Sequence, residues 1–146
     1  MAALTQAFEV MEKPGLVVNY KLAAVKVYKG GLVGINSAGY LTPMTHATAS
    51  LKFVGVAGET VDNSTGAAGD RALNAAKAGS FVMKAAAAYT PAIADIGKEV
   101  YALTDNEVQI STSGLTNSYK VGTILGLETT SAGATGVRIR IDNYVV

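Results

Sequence analysis

The stretch Lys26–Pro43, KVYKGGLVGINSAGYLTP, places four glycines in a short span, and this spacing constrains the fold more than any other feature of the chain. Two structures tolerate glycine at that density: a loop that cradles a phosphate, or a ribbon that turns back on itself. A Walker-type loop needs a glycine, four residues and then Gly-Lys-Ser/Thr. Gly31 is followed by Leu32-Val33-Gly34-Ile35, and the lysine and hydroxyl are missing. A dinucleotide fingerprint needs a helix after its glycines, whereas Ile35 leads into Asn36-Ser37-Ala38-Gly39, which is turn chemistry. Val25 and Val27 alternate with Lys26 and Tyr28, Leu32–Ile35 is a short apolar run, and Tyr40-Leu41 starts a third extended piece ended by Pro43. The stretch predicts a strand–turn–strand–turn–strand meander with glycine at its corners.

The same grammar continues along the chain. Leu51–Ala57 reads as a largely buried strand, ETVDNSTGAAG (Glu59–Gly69) as a polar loop, and Ser80–Lys84 as another strand. Glu99–Leu103 and Glu107–Ser111 flank the turn Thr104-Asp105-Asn106 and predict a hairpin. Tyr119–Glu128 puts Val121, Thr123, Leu125 and Leu127 on one face and Ile124 on the other. Val137, Ile139 and Ile141 alternate with Arg138, Arg140 and Asp142, the cleanest period of two in the chain. Strands at short intervals with glycine turns predict an all-β fold, a small antiparallel β-sandwich or barrel. Two segments fit less well. Asp70–Ala78 has helix-forming residues but is short, and it reads as a helix or as a strand preceding Phe81. Leu4, Phe8 and Met11 lie at near-helical spacing before Pro14-Gly15, and Val17–Tyr20 then looks extended. The domain reading is an N-terminal arm or short helix over 1–22 and a single all-β domain over 23–146.

Composition bears on partners. Hydrophobic residues make up 49% and charged residues 16% of the 146 positions, against roughly 25% charged in soluble domains. A chain this apolar exposes apolar area or covers it with a partner, which favours assembly with other subunits. The net charge is +1 with no basic stripe, so no nucleic-acid footprint is present. Cysteine is absent, which excludes disulfides and thiolate metal sites. The N-terminus lacks a basic start and a continuous apolar stretch, and no apolar run approaches the roughly 20 residues of a membrane span. A soluble chain without an export signal or membrane partner is expected.

Residues for chemistry are sparse. The single histidine, His46, lies in the loop MTHATAS, whereas zinc takes about three or four ligands. No Gly-x-Ser-x-Gly elbow surrounds a serine. The carboxylate pairs Asp105/Glu107 and Glu59/Asp62 sit in or beside turns, where solvated acids are routine, and no EF-hand spacing is present. Tyr28, Tyr101 and Tyr119 read as sheet residues with wet hydroxyls. The reading is therefore no catalytic, cofactor-binding or metal residue, and not an enzyme. The candidate interface residues are Phe8, Met11, Val17, Val18, Arg138, Arg140 and Tyr144: the N-terminal segment, an arginine pair on one side of a strand, and an apolar tail.

The phrases VYKGGLVGINSAGYLTP, FVGVAGETVDN, IGKEVYALTDNEV, VGTILGLE and GVRIRID together resemble head decoration, or capsid cement, proteins of tailed bacteriophages. The resemblance spans Ala24 to Asp142, with Gly34, Gly55-Val56-Ala57, and Gly97 with Val100-Tyr101 matching the family's turn-and-strand phrases. It implies a small all-β protein, jelly-roll-like or alternatively β-tulip-like, that binds the outside of the assembled shell. It also implies partners: the major capsid protein and a second copy of the chain, as a homo-dimer or alternatively a homo-trimer. It favours a strand for Arg71–Lys77 and leaves Met1–Lys21 outside. A tail-tube domain or a carbohydrate-binding adhesin module is the alternative reading.

Overall fold

The computed structural model describes residues 6, 7, 11, 13 and 15–142. Over these residues the fold is all-β. An open sheet contains β1 (Val17–Lys21), β3 (Leu32–Ile35), β4 (Leu41–Pro43), β5 (Lys52–Ala57) and β7 (Ala72–Ala76), antiparallel throughout in the order β1-β7-β5-β3-β4. A closed barrel contains β8 (Ala78–Ala85), β9 (Glu99–Ala102), β10 (Glu107–Gln109), β11 (Lys120–Thr129) and β12 (Thr135–Asp142), in the order β10-β8-β12-β11-β9. Within the barrel β8 and β10 run parallel and the other ladders are antiparallel. A small ladder joins β2 (Lys26–Val27) to β6 (Val61–Asp62). The expected sandwich or barrel is thus present as both layers at once, an open sheet packed on a barrel.

The short apolar runs in the sequence explain this packing. β3 and β5 are buried on both faces, so they read as continuous hydrophobic stretches rather than alternating ones. Leu32, Phe53 and Val56 join the barrel's own core residues, among them Val100, Val121 and Ile139. Val33, Val54 and Ala57 join a second cluster with Leu22, Leu41 and Leu73 on the opposite face. Each such aliphatic side chain contributes roughly 1.5–3 kcal/mol by leaving water. Serving two cores requires a break in the alternation. The β3–β5 register steps between Val33 and Gly34, with Gly55 opposite Val33 and Phe53 opposite Gly34, so Val54 is the extra residue of a bulge. Gly55 holds φ +153°, and a Cβ there would run into the carbonyl oxygen of Ala76.

Most predicted strands are borne out: Lys52–Ala57, Ala78–Ala85, the hairpin of β9 and β10, and β12, where Val137, Ile139 and Ile141 are buried and Arg138, Arg140 and Asp142 exposed. Asp70–Ala78 contains strand β7, not a helix. Leu73 and Ala75 are buried while Ala72 and Asn74 face out, a period of two that a helix could not satisfy. Three readings need correction. The Lys26–Pro43 meander is only partly formed: β3 pairs with β4, but β2 turns away to pair with β6. Val121, Thr123, Leu125 and Leu127 do not share a face. Register shifts between Lys120 and Gly122 and between Ile124 and Gly126 change the phase, so Val121 and Ile124 are both buried and Leu125 is exposed. The boundary at residue 22 falls inside the fold, because Val17–Lys21 pairs with β7 and Leu22 is fully buried in the second core.

The bulge yields a direct test. Gly55→Ala forces a side chain into the Ala76 carbonyl at a positive φ, and a cost of about 2–3 kcal/mol is expected, read as a fall in Tm on the order of 10 °C. Gly39→Ala, at φ +90° with open space around it, is expected to cost about 1 kcal/mol. Equal melting of the two variants would contradict the close approach of β5 to β7.

Candidate functional site

The sequence-selected residues fall in different places. Phe8 and Tyr144 lie outside the described residues. Met11 is exposed, Val17 is exposed at the start of β1, and Val18 is half-buried. Arg138 and Arg140 share the outward face of β12, as their spacing predicts. Arg138 Nε donates to Ser80 Oγ at 3.2 Å, and Arg140 pairs with Asp142 at 3.5 Å. The topology brings the two groups toward one seam. The Lys77 amide, between β7 and β8, donates to the Leu16 carbonyl at 2.8 Å, and Asp142 stands opposite Ala78, the next residue. The start of β1 and the end of β12 therefore meet adjacent residues where β7 passes into β8.

β1 is an edge strand. Lys77 and Arg71 bond to Leu16 and Leu22, so alternate residues of β1 turn their backbone groups toward β7. Those of Val17 and Asn19 point away from it, while beyond Lys21 the chain is bridged to Leu41 of β4. Leu16 and Val17 are exposed at this edge. Among the described residues no strand pairs with this side of β1, and an unpaired edge next to apolar side chains is a template for another chain.

The residues considered for chemistry are occupied in holding the fold. His46 Nδ1 accepts from the Thr116 amide at 3.1 Å and its carbonyl accepts from Asn117 Nδ2 at 2.8 Å, tying two loops together. Glu107 pairs with Lys84 at 2.8 Å, while burial pushes the Asp105 carboxyl up from its ordinary value. Asp62 accepts from the hydroxyl and amide of Ser64, which hold its carboxyl below the ordinary range. Among the described residues no cluster of three or more His, Cys, Asp or Glu is arranged to hold a metal, and no helix is long and apolar enough to cross a membrane. A cleft of about 440 Å³ opens by Phe53, Tyr119 and Arg140. The cations there have partners: Lys120 meets Glu99 at 2.7 Å, and Arg140 meets Asp142.

One feature escaped the sequence reading. The loop PAIADIG, Pro91–Gly97, carries a single 3-10 turn at Ile93–Asp95. Its polarity is inverted. Asp95 is only 6% exposed, whereas Ile93 is 78% and Ile96 49% exposed. Asp95 is held by three donors: Tyr89 Oη at 3.0 Å, the Ala92 amide at 2.9 Å and Lys98 Nζ at 2.9 Å. The backbone is fixed as well, with Asp95 N–H on the Ala92 carbonyl, Ile96 N–H on Ile93, and Gly97 N–H on Ile124 of β11. Gly97 and Lys98 both bond to Ile124, the residue before the exposed Leu125. Pro91 and the exposed Leu127 line one shallow cleft. The signal available in sequence was two isoleucines three apart, in a segment bounded by proline and glycine and too short for a helix.

Comparison with known proteins gives no matching family model, no matching curated protein and no matching solved structure.

The clamp around Asp95 has a pH signature. The Lys98 ammonium, then the Ala92 amide, hold the Asp95 carboxyl below its ordinary value. Its contribution to stability is therefore fully present above about pH 3.9 and is lost as pH falls through the lower folded value. Asp95→Asn is expected to melt below the wild type at neutral pH, with the gap closing in strong acid. Burial, then the hydrogen bond to Asp95, pushes the Tyr89 phenol up to about 12. A raised folded value favours the neutral phenol, so that stability holds below about pH 10 and is lost as pH rises toward the folded value. Ultraviolet titration should show one late phenolate that Tyr89→Phe removes; early titration of every tyrosine would contradict the buried pair.

Proposed function

We propose that this chain is a structural virion protein that binds the outer surface of a phage capsid and stabilises contacts between major capsid protein subunits. The observation that carries the reading is the edge of β1, where no strand among the described residues pairs with the outward backbone groups of Val17 and Asn19, beside the exposed side chains of Leu16 and Val17. An extended segment of a neighbouring subunit can add to such an edge by main-chain hydrogen bonds, while the apolar side chains supply area. The phrase-level resemblance to head decoration proteins supports the same reading. The low charged share of the chain, 16%, fits a surface designed to be covered. Arg138 and Arg140 offer charge to a neighbouring subunit from the barrel wall. The chain acts as a small homo-oligomer, a dimer in this reading, so that modest contacts repeated by each copy and across a lattice multiply into firm retention.

Two measurements test this. Native mass or light scattering should give a mass above that of one chain. Mixing the protein with expanded shells of the major capsid protein of the virus that encodes it, then sedimenting, should bring the protein down with the shells. Val17→Asp, at the exposed start of the edge, should weaken that binding by about tenfold or more with little change in Tm. Failure to sediment with shells would sink the proposal.

A further inference from the structure

The geometry points to His46 as an acid-sensitive latch that clips the loop between β4 and β5 onto the barrel and loosens its hold as the imidazole gains a second proton. The inference stands apart from the shell-binding reading and concerns how the two layers are held together.

The first observation is where the loop is tied. Residues 44–51 leave the open sheet at β4 and return to it at β5, with Met44 and Leu51 buried in the barrel's core at the two ends. Between them Thr45 and His46 are half-buried and residues 47–50 are exposed. Six hydrogen bonds hold this crest against the barrel. His46 N–H donates to the Leu103 carbonyl at 3.3 Å, and the His46 carbonyl accepts from Asn117 N–H at 3.1 Å and Nδ2 at 2.8 Å. Tyr119 Oη donates to the Thr48 carbonyl at 2.6 Å and accepts from Leu51 N–H at 3.1 Å. The sixth is the Thr116 amide on His46 Nδ1, at 3.1 Å.

The second is strain within the crest. Ser50 holds φ +61°, and among the described residues no other non-glycine has a positive φ. A residue with a Cβ disfavours that region, so the shape of the crest depends on the bonds that hold it.

The third is the chemistry of the sixth bond. An amide can donate to Nδ1 only while that nitrogen keeps its lone pair, which fixes the neutral imidazole with its proton on Nε2. A second proton lands on Nδ1. It sets two donors face to face and a cation against the positive end of the Thr116 amide. The other five bonds join backbone groups, an amide side chain and a hydroxyl. The folded state therefore holds the neutral form, and the bond is complete above the range in which histidine changes charge, about pH 5 to 8, and is lost as pH falls through it.

No opposite charge offsets the loss. Among the described residues no ion pair includes His46. On the turn after β9, the Asp105 carboxyl lies against Gly31, where burial pushes it up from its ordinary value, and Glu107 pairs with Lys84. Toward β11, Tyr119 is engaged with the crest and Lys120 with Glu99. On β5, Lys52 is exposed.

The test is nuclear magnetic resonance on the full chain labelled with nitrogen-15, taken from about pH 8 to about pH 5. At the upper end the imidazole should be the Nε2–H tautomer. Protection of the Thr116 amide from hydrogen exchange is expected to fall about fivefold or more, with the same midpoint as the imidazole signals. His46→Asn supplies a side-chain carbonyl in place of Nδ1 and should keep the protection while losing the pH step. His46→Leu should lack the protection at every pH, and Asp105→Asn should leave the step in place. An Nδ1–H tautomer, a Thr116 protection that ignores the imidazole midpoint, or a step that survives in His46→Asn would each overturn the latch. A step that vanishes in Asp105→Asn would overturn it in favour of that acid. The tautomer and the wild-type titration need no variant, so they decide the matter even where a substitution prevents folding.

Discussion

The fold depends on two strands that have no solvent face. β3 and β5 contribute alternate side chains to two separate cores, the barrel's and the one built around Leu22, Leu41 and Leu73. Neither core closes without them. Burial on both faces sets strict demands on the backbone between, which is why the bulge at Val54 and the bare Cα of Gly55 sit there. A side chain at Gly55 would separate β5 from β7, and β7 is the strand that carries the edge β1 and runs on through Lys77 into the barrel. Lys77 itself is 5% exposed, its amine donating to Tyr20 Oη at 3.1 Å. The open sheet and the barrel are in this sense one construction, hinged on shared strands and not on a linker.

How much of this was legible in the sequence varied with regularity. β12 was readable because its pairing with β8 is unbroken from Gly136 to Asp142, so inside and outside alternate without a slip. β11 was not, because two register shifts reset its phase and left Val121 and Ile124, three residues apart, both inside. The ambiguity at Asp70–Ala78 was real: alanine and leucine suit a helix by propensity, and long-range pairing with β1 and β5 decides for the strand. The glycine run was correctly a set of turns, but the choice of β6 as partner for β2 involves residues over thirty positions away and leaves no local trace.

The candidate surface was legible only in part. Val17, Arg138 and Arg140 were visible as an extended start and an alternating pair. The Ile93–Ile96 knuckle was not, since nothing in PAIADIG says which way its isoleucines face. That is decided by Tyr89 and Lys98, which draw Asp95 inward. One buried carboxylate thereby determines the exposure of two aliphatic side chains, a relation that exists only in three dimensions. The same holds for the edge of β1, whose open side is defined by which amides β7 takes.

The strand order also fixes when each layer can exist as the chain emerges from the ribosome. All five strands of the open sheet lie before residue 77, so that layer has its complete set of pairings early. The barrel is different, for β8 must wait for β12, whose Arg138 reaches Ser80 across 58 positions. A nascent chain that has not yet reached β12 therefore holds a finished sheet whose Leu32, Phe53 and Val56 have only part of their lid, which Val137, Ile139 and Ile141 complete.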